Sequence, residues 1–455
     1  MRSPRVSSFP GRLLAGALTL GATPVLAGPD SEVPSAADPG DPIDLHLSLE
    51  YEYGSEHAAI TRERAGLPGT DPSDPVPELD DLTSSRSVHV LTPRAALGVF
   101  RDTWVSLALP ITLADRRTLG FADGVDASSS TTIEDGLLTP DGFDADDPGT
   151  PLPASVGVFR GPSRSGLDQL HLGAGFAPMN QRRDDTKPTW KLGAEFRIAI
   201  GKPARWSETS PGSDDGVGRG VHEVRLWTTM ARRLGRFEPY VGLEWLAPMA
   251  VTGSSPFADP GFGARRSMPQ MHGRARGGFE FIPVERPKDD VKVSLDIGAT
   301  LDAAFEGRAY SPMWEVFAHA GAVGSDGPLV LDGDPTAAGI QDLANPGVTQ
   351  VENSLRTDLH LAVRAELGRN VHIAAGLAWG RTTGHVISFA DAGVDRPTCD
   401  AGQTSGCETD GNELVTPGTS EVNPLYVERI DLVGHRYRAE ALSSMQAMVT
   451  GTMLF

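Results

Sequence analysis

Along residues 43–53, Ile43, Leu45, Leu47, Leu49, Tyr51 and Tyr53 alternate with Asp44, His46, Ser48, Glu50 and Glu52. A period of two puts every apolar side chain on one side of an extended strand and every polar one on the other. The pattern recurs as pairs. "LTPRAALGVF" and "WVSLALPITLA" are joined by "RDT", with Leu107, Leu109, Ile111 and Leu113 sharing a face. "LDQLHLGAGFA" precedes "TWKLGAEFRIAI", in which Trp190, Leu192, Ala194, Phe196, Ile198 and Ile200 oppose Lys191, Glu195 and Arg197. "VHEVRLWTTMARR" turns into "FEPYVGLEWLAP", "HGRARGGFEFI" into "VKVSLDIGATLDAAF", and "LRTDLHLAVRAEL" into "VHIAAGLAW", before "HRYRAEALSSMQAMVTGTMLF". About twelve strands result, each of the length that a tilted strand needs to cross a bilayer.

The connections alternate as regularly as the strands. Short turns at residues 101–103, 179–188, 234–236, 284–290 and 368–370 take turns with long polar segments near 54–85, 115–166, 202–219, 252–270, 306–353 and 386–434. A soluble sandwich has no reason to make every second connection long, whereas an outer-membrane barrel has short periplasmic turns and long outer loops. The expected fold is therefore all-β: a transmembrane antiparallel up-and-down β-barrel. "YSPMWEVFAHAG" offers an alternative, an added hairpin that makes fourteen strands.

Both ends of the chain fit export to an outer membrane. Residues 1–27 carry Arg2, Arg5 and Arg12, then "LLAGALTLGATPVLA", with Val25 and Ala27 at the small positions of a cleavage site. That is a secretory signal. Residues 28–42, rich in Pro and Asp, form a periplasmic lead with nothing to pack, and residues 43–455 form the barrel. At the far end Met445, Ala447, Val449, Gly451, Met453 and Phe455 alternate to the last residue. Phe455 is expected to act as the assembly signal of a strand that must pair with the first one to remove the sheet edge.

Composition narrows the partners. The formal charge of -20 argues against nucleic acid, since phosphate binding needs a basic surface. The only two cysteines, Cys399 and Cys407, lie close together and are expected to close one small outer-loop disulfide in an oxidising compartment. No metal or cofactor motif is present, and no Gly-x-Ser-x-Gly, phosphate loop or helical zinc pair points to an enzyme. Lipid, lipopolysaccharide, the insertion machinery and a small-molecule solute are the expected partners.

"LGVFRDTWVSLALPI", "GLDQLHLGAGFAP" and "WKLGAEFRIAIGKP" resemble repeats of the outer-membrane barrel family associated with the meta-pathway of phenol degradation. The resemblance implies a transport role and supplies no catalytic residues.

Specific chemistry is left to the polar faces. With the apolar faces toward lipid, the lumen set is Lys191, Glu195, Arg197, Glu223, Arg225, Glu244, Arg274, Arg276, Glu280, Lys292, Asp296, Asp302, Arg356, Asp358, His360, Arg364 and Glu366. Two readings stand. These charges form rings that filter solutes in a narrow pore, or they pair and fill a small interior. The expected function is passive passage of small solutes, hydrophobic and aromatic ones included. The alternative is a barrel used as a scaffold, whose long loops bind lipid, ions or another surface, or carry a hydrolytic site.

Overall fold

The computed structural model describes residues 31–36, 43–65, 76–153, 155–207, 209–213, 216–258, 268–322, 328–332, 342–389 and 427–455. The expected signal at 1–27, the remainder of the lead, and Cys399 with Cys407 lie outside the described residues.

Twelve strands close an antiparallel barrel. They are β1 (Leu45–Glu63), β2 (Glu78–Phe100), β3 in two pieces (Thr103–Ala108 and Ile111–Phe121), β4 in two pieces (Arg164–Leu167 and Gln169–Met179), β5 (Thr189–Ala199) and β6 (Val221–Ala231). There follow β7 (Phe237–Val251), β8 (His272–Arg286), β9 (Val291–Ala304), β10 (Ser354–Leu367), β11 (Val371–Thr382) and β12 (Tyr437–Leu454). Pro110, which has no N–H to give the ladder, sits at the break in β3. β12 pairs with β1 through Leu47↔Met453 and Tyr51↔Val449, and the backbone of Phe455 exchanges two hydrogen bonds with Leu45, at 3.1 and 3.0 Å. No sheet edge is left at the seam.

The outer wall is greasy. Leu243, Leu359, Leu361, Leu377, Val449 and Met453 are all exposed, a band of apolar surface that water solvates poorly and lipid tails accept. Among the described residues no helix is long and apolar enough to cross a membrane.

Two expectations about the loops need correction. Segment 54–85 is mostly strand, because β1 and β2 run 19 and 23 residues, well past the ~9–11 that span a bilayer. "YSPMWEVFAHAG" adds no hairpin: it forms a short helix, α1 (Trp314–Ala320), and the barrel stays at twelve strands.

In the outer extension the two faces of the wall exchange polarity. Ala58 and Ile60 of β1, Leu82 of β2, Leu119 of β3, and Ala439 and Leu442 of β12 are buried against Leu137, Leu138, Phe159, Met313, Val316 and Phe317. Above the membrane the apolar face has a loop-built core to cover, so it points inward. That core fills the outer mouth. It is pinned by polar groups, since Asp81 accepts hydrogen bonds from Ser130 Oγ (2.8 Å), Thr131 N and Oγ1 (2.9 and 2.8 Å), and Thr132 N and Oγ1 (3.1 and 2.6 Å). Arg62, fully buried, donates to the carbonyls of His435, Thr131 and Arg429, with its guanidinium 4.6 Å from the ring centre of Tyr437. Asp81→Ala strips the acceptor from that cluster of donors. It should cost about 1–3 kcal/mol, the range for leaving buried polar groups unsatisfied. Limited proteolysis should then cut within residues 122–163 while the barrel stays inserted, and unchanged protease resistance would count against the pinning role.

The inner mouth is occupied too, where the lead was expected to pack against nothing. Val33 and Ala36 are buried, Val33 against Trp104 and Ala177. Ala36 exchanges backbone hydrogen bonds with Arg101 (2.9 and 2.8 Å), and Lys191 Nζ donates to the Glu32 carbonyl at 3.0 Å. Gly98 is required here. A Cβ on it would stand 2.6 Å from the carbonyl carbon and oxygen of Ser35.

Candidate lumen site

Between the two closures the inward side chains of neighbouring strands meet at the same level, because the antiparallel register sets residue against residue. β6 lies on β5 with Glu223 opposite Arg197 and Arg225 opposite Glu195. β7 lies on β8 with Glu244 opposite Arg274, and β8 on β9 with Arg274 opposite Asp302. Opposite charges therefore alternate around the wall. Asp168–Arg219 (3.0 Å), Arg219–Glu223 (2.9 Å), Arg197–Glu223 (3.8 Å), Arg197–Glu195 (2.8 Å) and Arg225–Glu195 (3.7 Å) form one arm of a continuous ladder. Arg225–Glu244 (2.7 Å), Arg274–Glu244 (3.2 Å), Arg274–Asp302 (2.6 Å) and His272–Asp302 (3.0 Å) complete it.

The other expected lumen residues also stand on inward faces. Asp296 accepts from Tyr240 Oη (2.8 Å) and Arg364 Nη2 (2.8 Å), with His360 Nε2 at 3.6 Å. Lys292 joins Glu366 (2.8 Å) and Glu280 (3.6 Å). Arg356 pairs with Asp358 at 2.6 Å, Arg276 lies 5.5 Å from the ring centre of Tyr240, and Lys191 holds the inner segment. Glycines make room for two lumen tryptophans, since a Cβ on Gly175 or Gly193 would overlap Trp104 or Trp227 at 2.2 and 2.3 Å.

Above the ladder, under α1, is a cavity of about 170 Å³. Its roof is Trp314, with the guanidinium carbons of Arg164 and Arg117 lying 4.9 and 5.7 Å from the Trp314 ring centre. Arg164 also binds Glu315 at 2.9 Å, both groups almost fully buried. Burial raises the Glu315 carboxyl above its ordinary range, while Arg164 and Arg117 pull the other way. Arg86 pairs with Asp115 at 2.6 Å on the near wall. Glu50, Glu52, Arg86, Arg94, Asp115, Arg117, Arg164 and Arg219 line this cavity as well and are absent from the lumen set expected from the sequence. For Glu50, Glu52 and Arg94 the signal was present, because each occupies an inward position of β1 or β2. Arg164 and Arg219 sit at loop-strand junctions, where period two gives no facing. Among the described residues no group of three or more His, Cys, Asp or Glu side chains is placed to hold a metal ion.

A closed barrel with an apolar outer belt and a charged, ion-paired interior defines the class: a membrane-spanning β-barrel of the outer-membrane type. No protein-family model matches the chain, and no curated protein matches it. Solved structures similar to it include an outer membrane channel from Pseudomonas putida F1, at 11% identity and TM-score 0.40, covering 92% of this chain and 100% of that one. A FadL homologue from Pseudomonas aeruginosa gives 10% identity and TM-score 0.32, with 90% of each chain covered. A mutant of the monoaromatic hydrocarbon channel TodX gives 9% and 0.31, again with 90% of each chain covered. Two of these three structures are of channels. Similarity at this level says nothing of what crosses this wall.

Proposed function

We propose that this chain is an outer-membrane channel for passive passage of small solutes, apolar and aromatic ones included, and that it rests closed. One observation carries the reading. The cavity and the charge ladder lie between two closures built from loop and lead segments, not from the wall itself. Such segments can leave while the barrel's hydrogen-bonded wall stays intact. A wall meant only as a scaffold has no need of a polar interior cavity, and strand-borne charges filling the whole lumen would have left no room for one.

The closures are in series, which dictates the test. Gly98→Val drives a side chain into the backbone of Ser35 and should unseat residues 31–36. Asp81→Ala should loosen the outer core. Each single variant should leave planar-bilayer conductance near the wild-type level, and the double variant should raise it severalfold, in steps. A double variant that is inserted and heat-modifiable yet electrically silent would overturn the channel reading and favour the scaffold.

A further inference from the structure

Most charged groups around the cavity are paired, Arg86 with Asp115 and Arg164 with Glu315. Along the inner part of β1 and β2 they are not. Arg94 lines the cavity and makes no hydrogen bond or ion pair with any described residue. Glu52, 3% exposed, makes none either, and its Oε1 is a buried acceptor without a donor. Glu50, also buried, receives a single 3.3 Å hydrogen bond from Thr450 Oγ1.

A buried carboxylate left without a donor or a cation is expensive, and so is a guanidinium without an acceptor. Here half-buried Arg94 and buried Glu50 attract one another across the cavity without touching, and Glu52 has only the charge of Arg356 to offset it, so no direct charged partner closes on any of the three. The register sets Arg94 opposite Ser48, Thr92 opposite Glu50 and Val90 opposite Glu52. At ~3.4 Å per residue the two carboxylates start about 7 and 14 Å outward of Arg94 along the wall, so long side chains leaning together can close on one short molecule. The rest of the lining includes Val90, Phe257 and Trp314, surfaces for an apolar group. Engineered cavities of ~150 Å³ hold one benzene molecule, so about 170 Å³ takes a single small ligand.

We infer that this cavity binds a small zwitterion of the α-amino-acid kind, its carboxylate on Arg94, its ammonium on Glu50 and Glu52, and its side group toward Trp314. This rests on the passage reading and names a solute class for it. A ligand with both charges satisfies both open groups. A plain anion would satisfy Arg94 and leave the carboxylates as they are, and a plain amine would do the reverse.

The test uses three molecules of one skeleton: L-valine, 3-methylbutanoate, which lacks the ammonium, and isobutylamine, which lacks the carboxylate. Binding to the full barrel in detergent is followed by thermal shift and by tryptophan fluorescence. Valine should bind at least tenfold more tightly than either analogue. Arg94→Gln should reduce valine to the level of isobutylamine, and Glu52→Gln to the level of 3-methylbutanoate. Equal binding of valine and 3-methylbutanoate by the wild type, or no binding of any of the three, overturns the inference. Should either variant fail to insert, the wild-type ranking of the three molecules decides alone. No flux is involved, so a barrel that binds valine but never conducts fails only as a channel, and one that conducts without binding valine fails only here.

Discussion

Asp296→Ala should cost the barrel about 3–5 kcal/mol, the range for breaking a buried ion pair by removing one partner. Asp296 is 1% exposed on the inner face of β9 and accepts hydrogen bonds from Tyr240 and Arg364, while His360 Nε2, 3.6 Å from the carboxylate, is hydrogen-bonded to the Tyr240 hydroxyl at 2.9 Å. Alanine takes away the carboxylate that balances Arg364 and the acceptor that orients the Tyr240 hydroxyl, and it offers water little access to either. Asp296→Asn keeps an acceptor for Tyr240 but not the charge, so it should fall between alanine and wild type. Urea titration of protein refolded into lipid vesicles measures both. A loss below 1 kcal/mol for alanine would mean that the lumen is wet enough to screen the cluster.

Leu361→Arg should cost nearly as much, about 2–4 kcal/mol, for the opposite reason. Leu361 stands halfway along β10, is exposed on the outer face, and lies between Ile297 of β9 and Leu377 of β11, which face the same way. An arginine there must reach out of the hydrocarbon or carry its charge within it. Its neighbour Ala362 points inward and is buried against Met448. The pair thus tests the facing of the strand directly. Tolerance of Leu361→Arg in the vesicle titration would show that the band around Leu361 does not meet lipid.

The strands were legible because, within the bilayer, the two faces of the wall meet opposite solvents. Lys191, Glu195 and Arg197 could be set against Leu192, Ala194 and Phe196 by period alone, and the five short turns fall where the alternation breaks. Most of what escaped lies beyond the membrane-spanning part of the wall. In "GSEHAAITRE" the alternation persists, but Ala58 and Ile60 face inward and polar groups face out, so a reader expecting lipid outside sees a loop. The helix inside "YSPMWEVFAHAG" did leave a trace. Met313, Val316, Phe317 and Ala320, all buried, are spaced as one helical face, a period of 3.6 that no strand shows. The lead gave no trace at all, because Val33 and Ala36 are two small apolar residues in a polar run and only the barrel mouth makes them a contact.

Two closures in series turn permeability into a product of probabilities. Minor conformers of proteins are commonly ~0.1–10% populated. If the inner segment at 31–36 and the outer core each part about 1% of the time and independently, a continuous path exists for only about one part in ten thousand. A solute small enough for the cavity escapes that penalty, since it can enter through one opening, wait, and leave through the other. A molecule too long to be held between them must find both open at once. Selection by size would then come from the timing of two closures and not from the width of any ring in the wall.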